Sequence, residues 1–367
     1  MILEKTRRKF ESIQFLRFIA AFLVLITHST FYVHERYDQS VRVIKEGSIG
    51  VDIFFVISGF VILLSSIKRD GGFEDGLSFT IKRLIRIVPM YWIATTVKVI
   101  ALVAVPAAVL HATLDPERII MSYFFLPSVT PDGRWEPILG VGWTLVFEMF
   151  FYLLFALALF ARKNPVYLSS FVILSFSAIS TMRTPEWPVQ TMYLDKILLY
   201  FVIGMLCYIL IAKTNRKTMR VITYSLLSVS AIFLVRKITY HEPLITRLSF
   251  ETFVFVTTFF LSIIQCESLF RGWLAKVTGL FGDASYSTYL FHPLIAPVVP
   301  AIFSKLSNNG LHINPMFVIV VTIAVAFATT ILIHILIEKR ITGILKKALN
   351  KTPTENNLNN ASSSILK

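Results

Sequence analysis

Cysteine is nearly absent from this 367-residue chain, and the two present, Cys207 and Cys266, sit in or beside apolar segments. They provide no disulfide framework and no metal-ligand spacing. Charged residues are scarce as well, at 16%, against about 25% in a soluble globular protein. The alternating apolar–polar pattern of a membrane β-barrel is missing. So is an A-x-A cleavage site after the first apolar run, which is too long for a removable signal peptide and is expected to stay in the membrane. What remains is apolar: 55% hydrophobic residues, with 32 Phe and 13 Tyr, in repeated long runs, and a mean hydropathy of +0.68. These features predict an all-α, polytopic integral membrane helix bundle.

Ten runs are long enough to be candidate spans, at 13–33, 49–67, 84–105, 141–161, 166–182, 192–212, 221–235, 248–264, 281–303 and 315–337. The seventh reads as short and the fifth as weak. The net charge of +14 would point to nucleic acid in a soluble protein, but here it clusters in alternate loops. Those loops include Lys5 to Lys9, Lys68 to Arg86, Lys213 to Arg220 and Lys339 to Lys347, with a sparser scatter on the opposite face that includes Arg36, Arg118, Arg134, Arg247 and Lys305. With an even number of spans, the positive-inside rule places both termini in the cytoplasm and leaves no reason to invoke nucleic acid. The segment 106–140 is the longest expected outer one, with turn signals at Pro127, Pro131, Asp132-Gly133 and Pro137, and room for a short re-entrant or interfacial element. Residues 1–12 read as a cytoplasmic N-terminal segment and 13–340 as one membrane domain. Residues 341–367 form a cytoplasmic tail, polar and disordered from Thr352 onward.

Charge inside an apolar run is costly and marks a path or a site. Arg17 and His28 both lie in the first run, eleven positions apart, so they leave one helix face roughly 16 Å apart along the axis. Arg83 and Arg86, at i and i+3, share a face at the cytoplasmic interface and suit bidentate binding of a multiply charged phosphate. In the second span, Asp52 is placed to pair with His28 or an outer-loop arginine, and small residues around Gly47 and Gly50 allow close approach near Ser58. The fourth span carries Trp143 at the interface and Glu148 with Tyr152 one turn further on. Glu148 at the depth of His28 is the expected partner that would fix the imidazole tautomer and raise its basicity. In the ninth, Ser285, Tyr289 and His292 form one polar stripe, and His292-Pro293 predicts a kink lining a cavity. Structural readings stay open for each: a hydrogen-bonded core histidine, a snorkelling Arg17, positive-inside anchors, an Asp52 helix cap, a Glu148–Tyr152 link, a kink-stabilising His292.

Taken in order, Arg17-x10-His28, Gly50-Val-Asp-Ile-Phe-Phe-Val-Ile-Ser-Gly-Phe60, Arg83-x-x-Arg86 with Pro89, Trp143-Thr-Leu-x-x-Glu148-x-x-x-Tyr152, Ser285-Tyr-Ser-x-Tyr289-Leu-Phe-His292-Pro293 and Glu338 resemble the acyltransferase-3 family of integral membrane acyltransferases. They are most similar to its exopolysaccharide acetylases. The resemblance covers about residues 13 to 340. Thr144, where many relatives have Ser, is its mild departure. It implies a multi-pass enzyme of the bacterial inner membrane that moves an acyl group, usually acetyl, from acetyl-CoA to a hydroxyl of a polysaccharide or a lipid-linked oligosaccharide, without a metal. Polysaccharide assembly proteins are a further class of partner. It also implies that His28 and Arg17 are essential, and that Arg83 and Arg86 bind the donor. From the residues alone, His28 would act as general base or acyl carrier, with Glu148 and Arg17 in support; Asp52, Ser58, Trp143, Tyr152, Ser285, Tyr289 and His292 would line the cavity. The competing reading is a transporter or flippase for a polysaccharide precursor, its buried charges forming a proton relay; a structural membrane subunit is a third.

Overall fold

The computed structural model describes residues 10–66, 70–106, 109, 113–184, 186–311 and 313–351, with thirteen α-helices and no strand among them. The basic cluster Lys5 to Lys9, Lys68, Arg69 and the polar tail from Thr352 lie outside the described residues. In chain order the helices are α1 Glu11–Arg36, α2 Ile49–Ser66, α3 Phe73–Ala104, α4 Pro116–Tyr123, α5 Trp143–Phe160, α6 Pro165–Ile179 and α7 Leu199–Lys213. There follow α8 Arg216–Thr239, α9 Phe250–Gln265, α10 Gly272–Ile295, α11 Val298–Asn308, α12 Pro315–Ile333 and α13 Lys339–Lys351.

By length and composition, nine stretches of the described residues can cross a membrane, and α9 is a shorter apolar helix at the eighth expected span. Ser249 caps the start of α9 and a 3-10 turn at Glu267–Leu269 follows its end, so it is 16 residues long. That is about 24 Å of helix, short of a 30 Å hydrocarbon core. The seventh span is longer than expected: α8 has 24 residues because its charged ends, Arg216 to Arg220 and Arg236-Lys237, are helical without being apolar. The expected short element in 106–140 is α4, whose Asp115 caps the first turn from a position just before Pro116. The helix break in the ninth span falls after Pro293, between Ile295 and Val298, rather than at His292.

α1 is the hub and packs on α2, α10 and α12, while α2 packs on α7 and α3 on α5. Membrane helices gain little from the hydrophobic effect against each other, so close backbone approach and shape decide which pairs meet. Gly59 and Gly204 make the α2–α7 contact possible, since a Cβ on either would lie 2.1 Å from a carbonyl oxygen of the other helix. Around this crossing Phe55, Phe151 and Phe201 stack with centroids 4.3 to 4.6 Å apart. Large apolar side chains of α6 and α8 such as Phe171, Tyr224 and Ile232 face outward, as lipid contact requires. The glycine-tightened core thus leaves its open space along α1, at two levels.

Candidate active site

The first opening lies at the Arg17 end of α1, a cavity of about 320 Å³ lined by Arg17, Arg83, Arg86, Ser58, Glu148, Tyr152, Ser285 and Tyr289. Arg83 Nη2 donates to Ser65 Oγ at 2.7 Å, and its guanidinium lies over the rings of Phe79 and Tyr152. Glu148 accepts from Ser58 Oγ at 3.0 Å and from the Tyr152 hydroxyl. Arg17 has Arg86, Asp283, Glu338 and Glu148 as its electrostatic neighbours. Glu338 accepts from Ser287 Oγ at 2.6 Å and from His334 Nδ1 at 2.7 Å. His334 to Glu338 is a π-helical turn, a geometry often found at functional positions. Between these polar groups the wall is apolar, with Phe54, Val61, Ile62 and Leu64. This combination of guanidinium groups and an apolar wall fits a phosphorylated ligand with a long narrow arm.

The second opening lies at the His28 end of the same helix, a cavity of about 740 Å³ that His28 lines together with Tyr32, Lys98, Arg118 and Trp143. The His28 ring meets His292 edge to face at 4.8 Å, and His28 Nδ1 has no hydrogen-bond partner among the described residues. His292 is fully buried, and its Nδ1 lies 2.9 Å from the Thr288 carbonyl. A carbonyl only accepts, so Nδ1 carries the proton, and in the neutral ring Nε2 is a bare acceptor, also without a partner.

The two cavities meet at the first turn of α5. Thr144 and Tyr289 line the Arg17 cavity, while Val141 and Trp143 line the His28 cavity. The Tyr289 hydroxyl lies 3.0 Å from the Val141 carbonyl and 2.8 Å from Thr144 Oγ1, which is itself 3.0 Å from that carbonyl. The Tyr289 ring lies 6.2 Å from His292. A partition one side chain thick separates the arginines from the histidines.

Three expectations need correction. Glu148 does not pair with His28: it lies in the other cavity, where three guanidinium groups and two hydroxyls stabilise a carboxylate better than a neutral imidazole would. Asp52 lines neither cavity, and of its two expected partners it has the outer-loop arginine rather than His28 as a neighbour. The helical azimuth that turns Phe54 and Ser58 toward the Arg17 cavity turns Asp52 toward α7, where it is 1% exposed with Tyr200 and the outer-loop Arg247 as its neighbours. His292 lines neither cavity, being fully buried against the His28 ring, whereas Trp143 lines the His28 cavity with Arg247 over its ring at 4.8 Å. Ser58, Tyr152, Ser285 and Tyr289 do come together, around Glu148. Lys98 and Arg118 were not anticipated as site residues. Lys98 interrupts the third apolar run, a visible signal of function at membrane depth. Arg118 sits in an eight-residue helix and gave no such signal.

A family profile described as an acyltransferase domain matches residues 10–335, which takes in both cavities and the partition. The chain belongs to the acyltransferase-3 family. Among curated relatives, the exopolysaccharide production protein ExoZ of Rhizobium meliloti (strain 1021) is 34% identical over 260 residues, covering 69% of this chain and 78% of that protein. No solved structure matches. This acyltransferase is therefore a multi-pass membrane protein whose family match spans the helices that shape both openings.

Proposed function

We propose that this protein is an O-acetyltransferase of the bacterial inner membrane that moves acetyl from acetyl-CoA to a hydroxyl of an exported polysaccharide or its lipid-linked precursor. The observation that carries this reading is the pair of cavities on either side of the Tyr289 partition, one lined by arginines and the other by a histidine with unpartnered nitrogen. In this reading both termini and the Arg17 cavity face the cytoplasm, where acyl-CoA is found. Arg83, Arg86 and Arg17 hold its phosphates at the rim, and the pantetheine arm follows the apolar wall toward Tyr289. The sugar enters the His28 cavity. Swinging Tyr289 aside joins the two spaces and brings the thioester carbonyl to the sugar oxygen.

His28 then takes the proton of the sugar hydroxyl as its oxygen attacks the thioester carbon. The C–S bond breaks, CoA leaves as thiolate, and the imidazolium returns the proton to that sulfur. In the two-step variant, His28 attacks first and carries the acetyl group to the sugar. His292 acts behind His28 as a positioning residue, its fully buried ring packing edge to face against the His28 ring at 4.8 Å. Membership of an acyltransferase family, and a relative named for exopolysaccharide production, favour transfer over the transport reading. Vesicles carrying the purified protein are expected to move radiolabel from acetyl-CoA onto polysaccharide. Translocation of a precursor with no label transferred would replace this reading with transport.

A further inference from the structure

Six cationic side chains, Arg36, Lys45, Lys98, Arg118, Arg134 and Lys305, line the His28 cavity together with one carboxylate, Glu136. That carboxylate is already engaged, because both its oxygens lie 3.1 to 3.2 Å from Arg134 Nη1. The most telling cation is Arg118, which is 4% exposed. Its Nη2 donates to the Glu136 carbonyl at 3.2 Å, while its Nε and Nη1 have no acceptor. It makes no ion pair among the described residues, and a neutral carbonyl is the acceptor its side chain has. Burying a guanidinium without a paired anion is costly unless an anion arrives to share the site. Lys98, on α3, adds to this field, with Arg36 as a like-charged neighbour and the already engaged Glu136 as its neighbouring carboxylate. Low-dielectric walls concentrate such a field into the cavity rather than spreading it through solvent. Phe31, Tyr32 and Trp143 in its lining give aromatic surface for sugar rings.

We propose that the acceptor bound in this cavity is an anionic glycan, whose oxyanion supplies a counter-charge for Arg118 and Lys98. This rests on the acetyltransferase reading for what happens to the glycan, but not for its binding. The oxyanion has two chemical sources, a carboxylate on a sugar of the glycan or the diphosphate that links it to a lipid carrier. Either offers the paired oxygens that guanidinium groups bind well.

The test measures equilibrium binding to the full-length protein in nanodiscs, with no acyl donor present. The probes are a tetragalacturonate, the same tetrasaccharide with its carboxyls reduced, and a disaccharide on a short prenyl diphosphate. At least one anionic probe is expected to bind about tenfold tighter than the neutral one, and to weaken as salt rises. Which anionic probe does so identifies the source. Arg118→Gln is expected to remove most of that difference while leaving neutral binding unchanged. Lys98→Gln, on a separate helix, is expected to act in the same direction should Arg118→Gln not fold. Equal binding of all three probes, or anionic selectivity that survives both substitutions, would overturn the proposal. Selective binding here, with no label transferred from acetyl-CoA in the vesicle assay, would sink the acetyltransferase reading and leave this one standing.

Discussion

At the Arg17 end of α1, positive charge is matched: Glu148 and Glu338 stand among Arg17, Arg83 and Arg86, and each carboxylate is held by hydroxyl or imidazole donors. At the His28 end, positive charge is in excess, and the histidine and Arg118 have nitrogens without partners. Unpartnered polar atoms occur at both ends, Ser285 Oγ among them in the Arg17 cavity, so the contrast lies in charge balance: paired charges fix the shape of a site, and an excess of one sign favours a ligand of the other. On the function proposed above, the difference makes the Arg17 cavity a preorganised clamp and gives the His28 cavity the reactive and selective groups. The sharpest way to break this comparison is to remove the imidazole. His28→Ala is expected to lower kcat by a factor of about 10²–10⁴, measured as acetyl transfer from membranes containing matched amounts of inserted protein. Undiminished turnover would move the chemistry out of that cavity.

The arginines should respond in a different parameter. Arg83→Gln and Arg86→Gln each remove a charge from the clamp and leave the His28 cavity intact. Each is expected to raise the KM for acetyl-CoA about tenfold with a smaller change in kcat, the signature of lost ground-state binding. The KM for the sugar should stay where it is. A selective loss of kcat instead would place these side chains beside the reacting carbonyl.

The same contrast explains what the sequence could and could not disclose. Helices were legible wherever apolar residues ran on, and α1, α2 and α5 cover the expected runs. α8 was read short because hydropathy reports the apolar middle of a helix and is blind to helical ends rich in Arg and Lys. Relative depth and azimuth between helices are not encoded in residue counts, and this is why Glu148, expected at the level of His28, lies instead at the Arg17 end facing Ser58 and Tyr152. Arg118 was hidden for a further reason. It reaches the cavity because a loop folds back over α4, with Ser122 Oγ accepting from the Ile138 N–H at 2.9 Å and the Glu136 carbonyl accepting from Arg118. No local pattern encodes such a long-range closure.

The partition between the cavities gives the smallest effect and the finest test. Two hydroxyl protons, one on Tyr289 and one on Thr144, compete for the Val141 carbonyl and for each other, so three close contacts hold at most two donated bonds. Removing the phenolic oxygen with Tyr289→Phe leaves Thr144 free to donate to Val141, so no buried donor loses its acceptor. The ring keeps its packing against Phe54, 5.7 Å away. The expected cost is about 1 kcal/mol of stability, read as a small drop in the melting temperature of the purified protein, with kcat changed by less than about fivefold. A loss of 100-fold or more, with folding intact, would mean that this hydroxyl touches the reacting atoms. The partition would then belong to the chemistry, and the division between a clamp and a reactive cavity would have to be redrawn around Tyr289.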